Sequence, residues 1–296
     1  MSDFVIETRD LRKSYGGVAA LNGLNLEVRR GSVYGFLGRN GAGKTTTIKI
    51  LIGLIRSDSG EARVFGLPAN GAQSLEIRRR TGFVTEDKDL YPYMTVEEMI
   101  RFTRSFFPKW RADLEKRYLE MFELPPRRKT EALSKGMRSK LMLLLAIARG
   151  AELLILDEPS DGLDPAGVED ILRELMALAA AEGTTIFFSS HQLHEVEQIA
   201  DHICILAAGR TVIAGPLDDL KSQYQRIRVV LDRQLAEPVR WVDGAEHVQQ
   251  DGRTVSILAS RNIDGVLAQA QALPGASVER FPVTLKEIFL EHVRSH

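Results

Sequence analysis

The chain has 296 residues, of which 44% are hydrophobic and 27% charged, with a formal net charge of −1. That balance fits a soluble globular protein of about two domains, and it excludes bulk electrostatic attraction as a basis for binding nucleic acid or anionic lipid. The single cysteine, Cys204 in the apolar stretch Ile203-Cys204-Ile205-Leu206, excludes an internal disulfide and reads as a core thiol in a reducing compartment.

Met1-Ser2-Asp3-Phe4 has no basic segment followed by an apolar one, so no secretion signal is expected. The longest strongly apolar run, Leu141 to Ala148, is far short of the roughly 18 residues that a membrane span needs. From the start to about residue 90 the pattern reads as short strands around a glycine loop. Val33-Tyr34-Gly35-Phe36-Leu37 is a mostly apolar strand that runs straight into Gly38-Arg39-Asn40-Gly41-Ala42-Gly43-Lys44-Thr45. After the loop, Thr45 to Leu54 reads as a helix, with Ile48, Leu51, Ile52 and Ile55 at helical spacing.

The segment Gly38 to Thr45 fits G-x-x-x-x-G-K-T between a strand and a helix. Its glycines let the backbone curl so that amides face phosphate oxygens; Lys44 adds a point charge and Thr45 a hydroxyl for Mg²⁺. A helix N-terminus adds free N–H groups and the positive end of a dipole.

Thr95-Val96-Glu97-Glu98 has capping-box spacing and opens a helical insert over about 95–150, interrupted at Pro108 and at Pro125-Pro126. Phe102, Phe106, Phe107 and Trp110 lie in that insert and read first as its own core, and otherwise as an aromatic docking surface for a partner. A second glycine-marked helix start follows at Leu133-Ser134-Lys135-Gly136; Ser134 caps a helix there, and the start is a second candidate phosphate cradle. Arg78-Arg79-Arg80 and Arg127-Arg128-Lys129 read as solvated faces.

Leu153-Leu154-Ile155-Leu156 and Thr185-Ile186-Phe187-Phe188 are continuous apolar runs, joined by a helix over Val168 to Ala181. Strand, helix, strand is a crossover unit and implies a doubly wound parallel sheet. Asp157-Glu158 then falls at the end of a buried strand, where ligands bind in open α/β sheets. Asp157 suits Mg²⁺, and Glu158 suits the polarising of a water that attacks a γ-phosphate. His191, at the next strand end, can hydrogen-bond a phosphate oxygen and steady that base; His194 and His202 receive no role. Beyond about 222 the strands Ile227 to Leu231 and Val255 to Leu258, a hairpin turn at Asp251-Gly252, and helices over Ile263 to Leu273 and Leu285 to Val293 read as a small α+β domain without a chemical motif.

Taken in this order, residues 1–221 resemble the ATP-binding cassette (ABC) family, the ATPase subunits of ABC transporters. The resemblance implies an α/β P-loop NTPase of ABC type with an α-helical subdomain, followed by a small C-terminal α+β domain over 222–296. Gly38 to Thr45 corresponds to the Walker A loop, with Gly38, Asn40, Gly41, Gly43, Lys44, Thr45 and the adjoining Thr46 on the nucleotide. Leu133 to Met137 is the signature stretch, Leu153 to Glu158 Walker B, Ser160 to Asp164 the D-loop and His191 the switch histidine. Tyr15 fits the aromatic that stacks on adenine, although an ordinary strand-end tyrosine fits as well. The implied catalytic set is Glu158, His191 and Lys44. Thr45, Glu86 and Asp157 would hold Mg²⁺, and Ser134, Gly136 and Asp164 would close over the ATP of a second subunit in a two-fold dimer.

Three positions depart from the family pattern: Glu86 stands where the Q-loop glutamine is usual, Lys135 and Met137 alter the signature, and Asp161 replaces a small residue of the D-loop. Those variants and the C-terminal extension resemble bacterial ABC-2-type exporters; a plain stabilising or dimerising module reads the extension equally well. The implied partners are an integral membrane permease and either a second copy or another ABC ATPase, with no nucleic acid, at the cytoplasmic face of the cell membrane. A soluble ABC ATPase acting on nucleic acid or ribosomes is the competing reading. It usually carries two cassettes or a long coiled-coil insert, and neither is in this chain. A P-loop kinase or GTPase leaves the signature stretch unexplained.

Overall fold

The computed structural model describes residues 3–86, 90–233 and 239–294; Met1 and Ser2, read above for a leader, lie outside them. The chain divides into two compact units at Ala214/Gly215. This is earlier than the expected end at 221, because the helix Leu217–Ser222 groups with the C-terminal strands.

The first unit opens with β1 (Phe4–Tyr15) and β2 (Val18–Arg29), antiparallel and joined tightly enough that Tyr15 pairs with Val18 across Gly16-Gly17. These strands are longer than the short ones expected from the sequence. Their inward positions, Val5, Ile6, Leu24, Leu26 and Val28 among them, are buried against the core and sustain the pairing. β3 (Val33–Gly38) follows, then α1 (Lys44–Leu51), β4 (Ser59–Val64), β5 (Leu67–Pro68), α2 (Ser74–Arg80) and β6 (Thr81–Val84). The helical insert holds α3 (Val96–Arg104), α4 (Ala112–Met121) and α5 (Lys135–Ile147). The Thr95–Glu98 capping box forms in full: the Glu98 N–H donates to Thr95 Oγ1 at 3.2 Å, and the Thr95 N–H to Glu98 Oε2 at 2.8 Å. β7 (Leu153–Asp157), α6 (Pro165–Glu182), β8 (Thr185–Ser190), α7 (Leu193–Ile199), β9 (His202–Ala207) and β10 (Arg210–Pro216) complete the order.

Two sheets result. β2-β1-β4-β5 is antiparallel; the other runs β10-β9-β3-β8-β7-β6, and its pairs β9/β3, β3/β8, β8/β7 and β7/β6 are parallel. Every residue of β3, β7 and β8 is buried, as parallel strands covered on both faces require. Phe36 and Phe187 meet at 5.1 Å between ring centroids in the core that also holds Ile48, Leu51, Ile155 and Cys204. Burying one such ring contributes about 1.5–3 kcal/mol. The parallel register aligns the strand ends: Leu37 pairs with Ser190, and Asp157 with Ser189. The loops that follow β3, β7 and β8 therefore share one edge of the sheet.

The second unit comprises α8 (Leu217–Ser222), β11 (Tyr224–Leu231), β12 (Ala245–Asp251), β13 (Thr254–Ser260), α9 (Ile263–Gln271), β14 (Ala276–Phe281) and α10 (Leu285–Arg294). Its sheet runs β12-β13-β11-β14, antiparallel throughout, over a core of Ile227, Val229, Val255, Ile257, Val266 and Ala270. Asp251 pairs with Thr254, so the turn falls at the expected Asp251-Gly252. Among the described residues, no helix is long and apolar enough to cross a membrane.

Candidate functional site

The loop between β3 and α1 is shaped by its glycines and by what surrounds it. Gly43 has φ 110°, and a Cβ there would come within 2.5 Å of the Ala20 carbonyl oxygen, so only glycine fits. No side chain caps α1 and no acidic residue occupies its first turn, which leaves the first N–H groups to an anion. Lys44 is buried to 7% exposure, and its ammonium donates to the Gly38 carbonyl at 2.8 Å.

A cavity of about 420 Å³ lies over this loop, lined by Tyr15, Ala20, Arg39, Asn40, Gly41, Gly43, Lys44, Thr45, Thr46, Glu86, Asp157 and Glu158. The volume suits a nucleotide-sized ligand. Tyr15 is half exposed in this lining, with the Lys13 ammonium 5.5 Å from its ring centroid.

Asp157 is 1% exposed. Its Oδ1 accepts from the Ser189 hydroxyl at 2.5 Å, while its Oδ2 is buried with no hydrogen-bond partner among the described residues. The Thr45 hydroxyl donates to Glu86 Oε2 at 3.3 Å. No cluster of three His, Cys, Asp or Glu that would hold a metal occurs among the described residues. The residues present offer two carboxylates, Glu86 and Asp157 with its orphaned Oδ2, and the Thr45 hydroxyl, a set that suits Mg²⁺, which takes one or two carboxylates together with phosphate and water oxygens.

Glu158 is held in the left-handed region, φ 50°, an uncommon conformation for a residue with a Cβ. Its N–H donates to the Ser189 hydroxyl at 3.1 Å. Its Oε2 lies 2.8 Å from His191 Nδ1 and accepts the His191 N–H at 3.3 Å; its Oε1 lies 3.7 Å from Lys44 Nζ. His191 thus meets Glu158 directly, with half of its side chain exposed.

Ser134, Gly136 and Asp164 are not part of the cavity lining; nor are Gly38, whose carbonyl accepts from Lys44, and His191, which reaches the site through Glu158. Ser134 accepts the Met137 N–H at 3.2 Å and caps α5; Asp164 accepts the Gly167 N–H at 2.7 Å and caps α6. Gly136 packs on the D-loop so closely that a Cβ would come within 2.7 Å of the Gly162 carbonyl. Two of the unusual residues meet there: Lys135 and Asp161 form an ion pair at 2.8 Å.

The aromatic residues of the insert divide. Phe102 and Phe106 are exposed, which corrects the expectation that they form the insert's core; their rings meet edge-on at 5.1 Å, and Phe102 meets Tyr91 edge-on at 5.5 Å. Phe107 and Trp110 are half-buried, and Phe107 packs on the Arg149 guanidinium at 4.4 Å. Sequence reasoning missed Ser189, which bridges Asp157 and Glu158, and Glu195, which bonds the hydroxyls of Ser160 and Ser190. The one signal for them is the change from apolar to polar residues at the end of β8.

The ABC transporter family profile matches residues 21–161, and an AAA-domain profile matches residues 126–197. The chain is similar to the bacitracin transport ATP-binding protein BcrA of Bacillus licheniformis, at 39% identity over 79% of this chain and 76% of that protein. It is similar to the Nod factor export ATP-binding protein I of Cupriavidus pinatubonensis, at 32% identity over 97% of this chain and 90% of that protein. Its fold resembles the dimeric structure of MJ0796, a bacterial ABC transporter cassette, with TM-score 0.66 and 25% identity over 72% of this chain and 98% of that one.

Proposed function

The chain belongs to the ABC transporter family of ATP-binding proteins, and we propose that it energises an exporter by pairing around two MgATP and driving a separate membrane permease. It is an ATPase of that family. The observation that carries the finer reading is the division of the site. One cavity gathers the glycine loop, Asp157 and Glu158, with Gly38 and His191 outside its lining but bonded to Lys44 and Glu158; Ser134 and Asp164 lie outside it and bond within their own helix starts, and Gly136 packs on Gly162.

In this reading the α1 N–H groups and Lys44 hold the β- and γ-phosphates, and Tyr15 stacks on the base. Thr45, Glu86 and Asp157 would hold Mg²⁺, which would neutralise phosphate charge when bound. Glu158 accepts a proton from the attacking water, and His191, 2.8 Å away, fixes its carboxylate. Ser134, Gly136 and Asp164 of a second subunit then close over the γ-phosphate, so the closed pair is stable only while that group is attached. The second subunit is another copy of this chain or a related ATPase.

The likeness over nearly the whole chain to a Nod factor export protein supports export, as do Glu86 and the Leu133-Ser134-Lys135-Gly136-Met137 signature. The exposed rings of Tyr91, Tyr93, Phe102 and Phe106 suit a permease segment, since aromatic side chains are favoured at interface centres. The chain then works at the inner face of the cell membrane. The test is purification of the tagged chain from detergent-solubilised membranes. A multi-span protein that co-purifies with the wild type, and is lost from a Phe102→Glu/Phe106→Glu double variant that still binds ATP, supports the reading. Ribosomes or DNA in its place overturn it.

A further inference from the structure

We propose that Glu195 is a positioning residue that locks the loop carrying Glu158 to the loop carrying His191. The proposal rests on the reading of Glu158 as the general base. Glu195 lies in the first turn of α7 and is 1% exposed. Its Oε2 accepts the Ser160 hydroxyl at 2.7 Å and the Ser190 hydroxyl at 3.1 Å. Among the described residues its Oε1 is buried with no hydrogen-bond partner.

Such an arrangement is costly. A buried carboxylate satisfied by two neutral hydroxyls on one oxygen only is worse for stability than an apolar side chain of the same size. A role in packing alone does not call for it.

What the carboxylate holds explains its place. Ser160 closes the turn that begins at Glu158, whose carbonyl accepts the Asp161 N–H at 3.1 Å. Ser190 adjoins His191, and its hydroxyl also accepts the Gln192 N–H at 2.9 Å. One oxygen of Glu195 therefore joins the far end of the Glu158 turn to the peptide that bears the histidine. Glu158 sits at φ 50°, which its side chain disfavours, so the turn needs an external hold to stay there. Ser189 supplies one hold from the strand side, between Asp157 and Glu158; Glu195 supplies the other from α7. Together they fix the 2.8 Å contact between Glu158 and His191. Glu195 touches neither phosphate nor water in this scheme and acts through the two loops.

The test is steady-state ATP hydrolysis by the full chain with MgATP, read beside binding of a fluorescent ATP analogue. Glu195→Ala is expected to lower kcat about 10- to 100-fold, the effect of a slight misplacement of a catalytic group, with KM for ATP and analogue binding changed less than about two-fold. Glu195→Gln keeps an oxygen that accepts both hydroxyls and is expected to restore most of kcat. Ser160→Ala/Ser190→Ala removes the same bonds without emptying the core and is expected to match Glu195→Ala, which keeps the test open if the alanine variant misfolds. An unchanged kcat in the serine double variant overturns the proposal, as does a Gln variant no better than Ala, or a KM that rises in step with the fall in kcat. Glu158→Gln run in parallel separates the two readings. If it hydrolyses ATP normally, the base assignment fails; if it is inactive while Glu195→Ala is normal, only the positioning role fails.

Discussion

Glu158→Gln isolates proton acceptance from everything else that residue does. The amide is the same size, keeps an oxygen for His191, and gains nothing in backbone freedom, since glutamine at φ 50° is as strained as glutamate. Only the capacity to take a proton and one negative charge are lost. Loss of a general base costs about 10²- to 10⁴-fold in rate, or about 2.7–5.4 kcal/mol of barrier at about 1.36 kcal/mol per factor of ten. Nucleotide binding moves the other way. The cavity is lined by two cations, Arg39 and Lys44, and three carboxylates, Glu86, Asp157 and Glu158, so the substitution takes its formal charge from −1 to 0. Two unit charges 4 Å apart repel by about 4 kcal/mol at an effective dielectric near 20, so removing one carboxylate beside a triphosphate favours the ATP-bound pair. Phosphate release, together with size-exclusion chromatography in MgATP, checks both signs: hydrolysis is expected to collapse while an ATP-dependent dimer accumulates. Phosphate release within a few-fold of wild type would refute the assignment of the base, and loss of ATP binding would refute the claim that only proton transfer was removed.

Two further outcomes follow from the geometry. Lys44→Ala and Ser134→Arg subunits, each unable to pair with itself, are expected on mixing to form one intact composite site and recover ATP-dependent pairing by size-exclusion; no pairing in the mixture counts against sharing of the site. Burial pushes the Cys204 thiol up to about 12, so at pH 8 it is neutral and enclosed; a thiol reagent is expected to label it only after denaturation, and fast labelling of the native chain would contradict its place in the core.

The parts of the site that were legible in the sequence are those whose chemistry is local. Gly38 to Thr45 is continuous, and an apolar strand runs into it; Asp157-Glu158 and His191 each close an apolar run. Contacts made across the fold left no such trace. Ser189 and Glu195 are ordinary residues until the parallel register brings β7 and β8 side by side. Lys135 and Asp161, read separately as two departures, turn out to be one ion pair, because the start of α5 packs against the D-loop through Gly136 and Gly162. β12 and β14 escaped notice for a different reason. They are the two edges of their sheet: β12 is almost wholly exposed and carries no apolar alternation, while in β14 the alternation is confined to Ala276 and Val278, too short a stretch to reveal a strand. Phe102 and Phe106 were misread because hydrophobicity gives the preference for burial but not the face that the insert leaves uncovered.

The residues outside the cavity bear on why a pair is needed. Ser134 and Asp164 already have structural duties as helix caps, and in the proposed dimer they would also face a nucleotide. The two duties are compatible for Ser134. As a cap its oxygen accepts the Met137 N–H, which leaves the hydroxyl hydrogen to donate to a phosphate oxygen. Alanine there would lose both interactions, whereas glycine or asparagine would keep part of the cap. Capping also sets the direction: a capped N-terminus holds the remaining N–H groups of the first turn of α5 outward from the helix, where an anion can meet them. Because the second cradle is built into the same chain as the first but outside its lining, a two-fold axis satisfies both at once: each subunit's loop meets the other's helix start. In the proposed dimer a single subunit would leave both half-sites incomplete, and the γ-phosphate, as the group common to the two, would decide whether the pair stays closed.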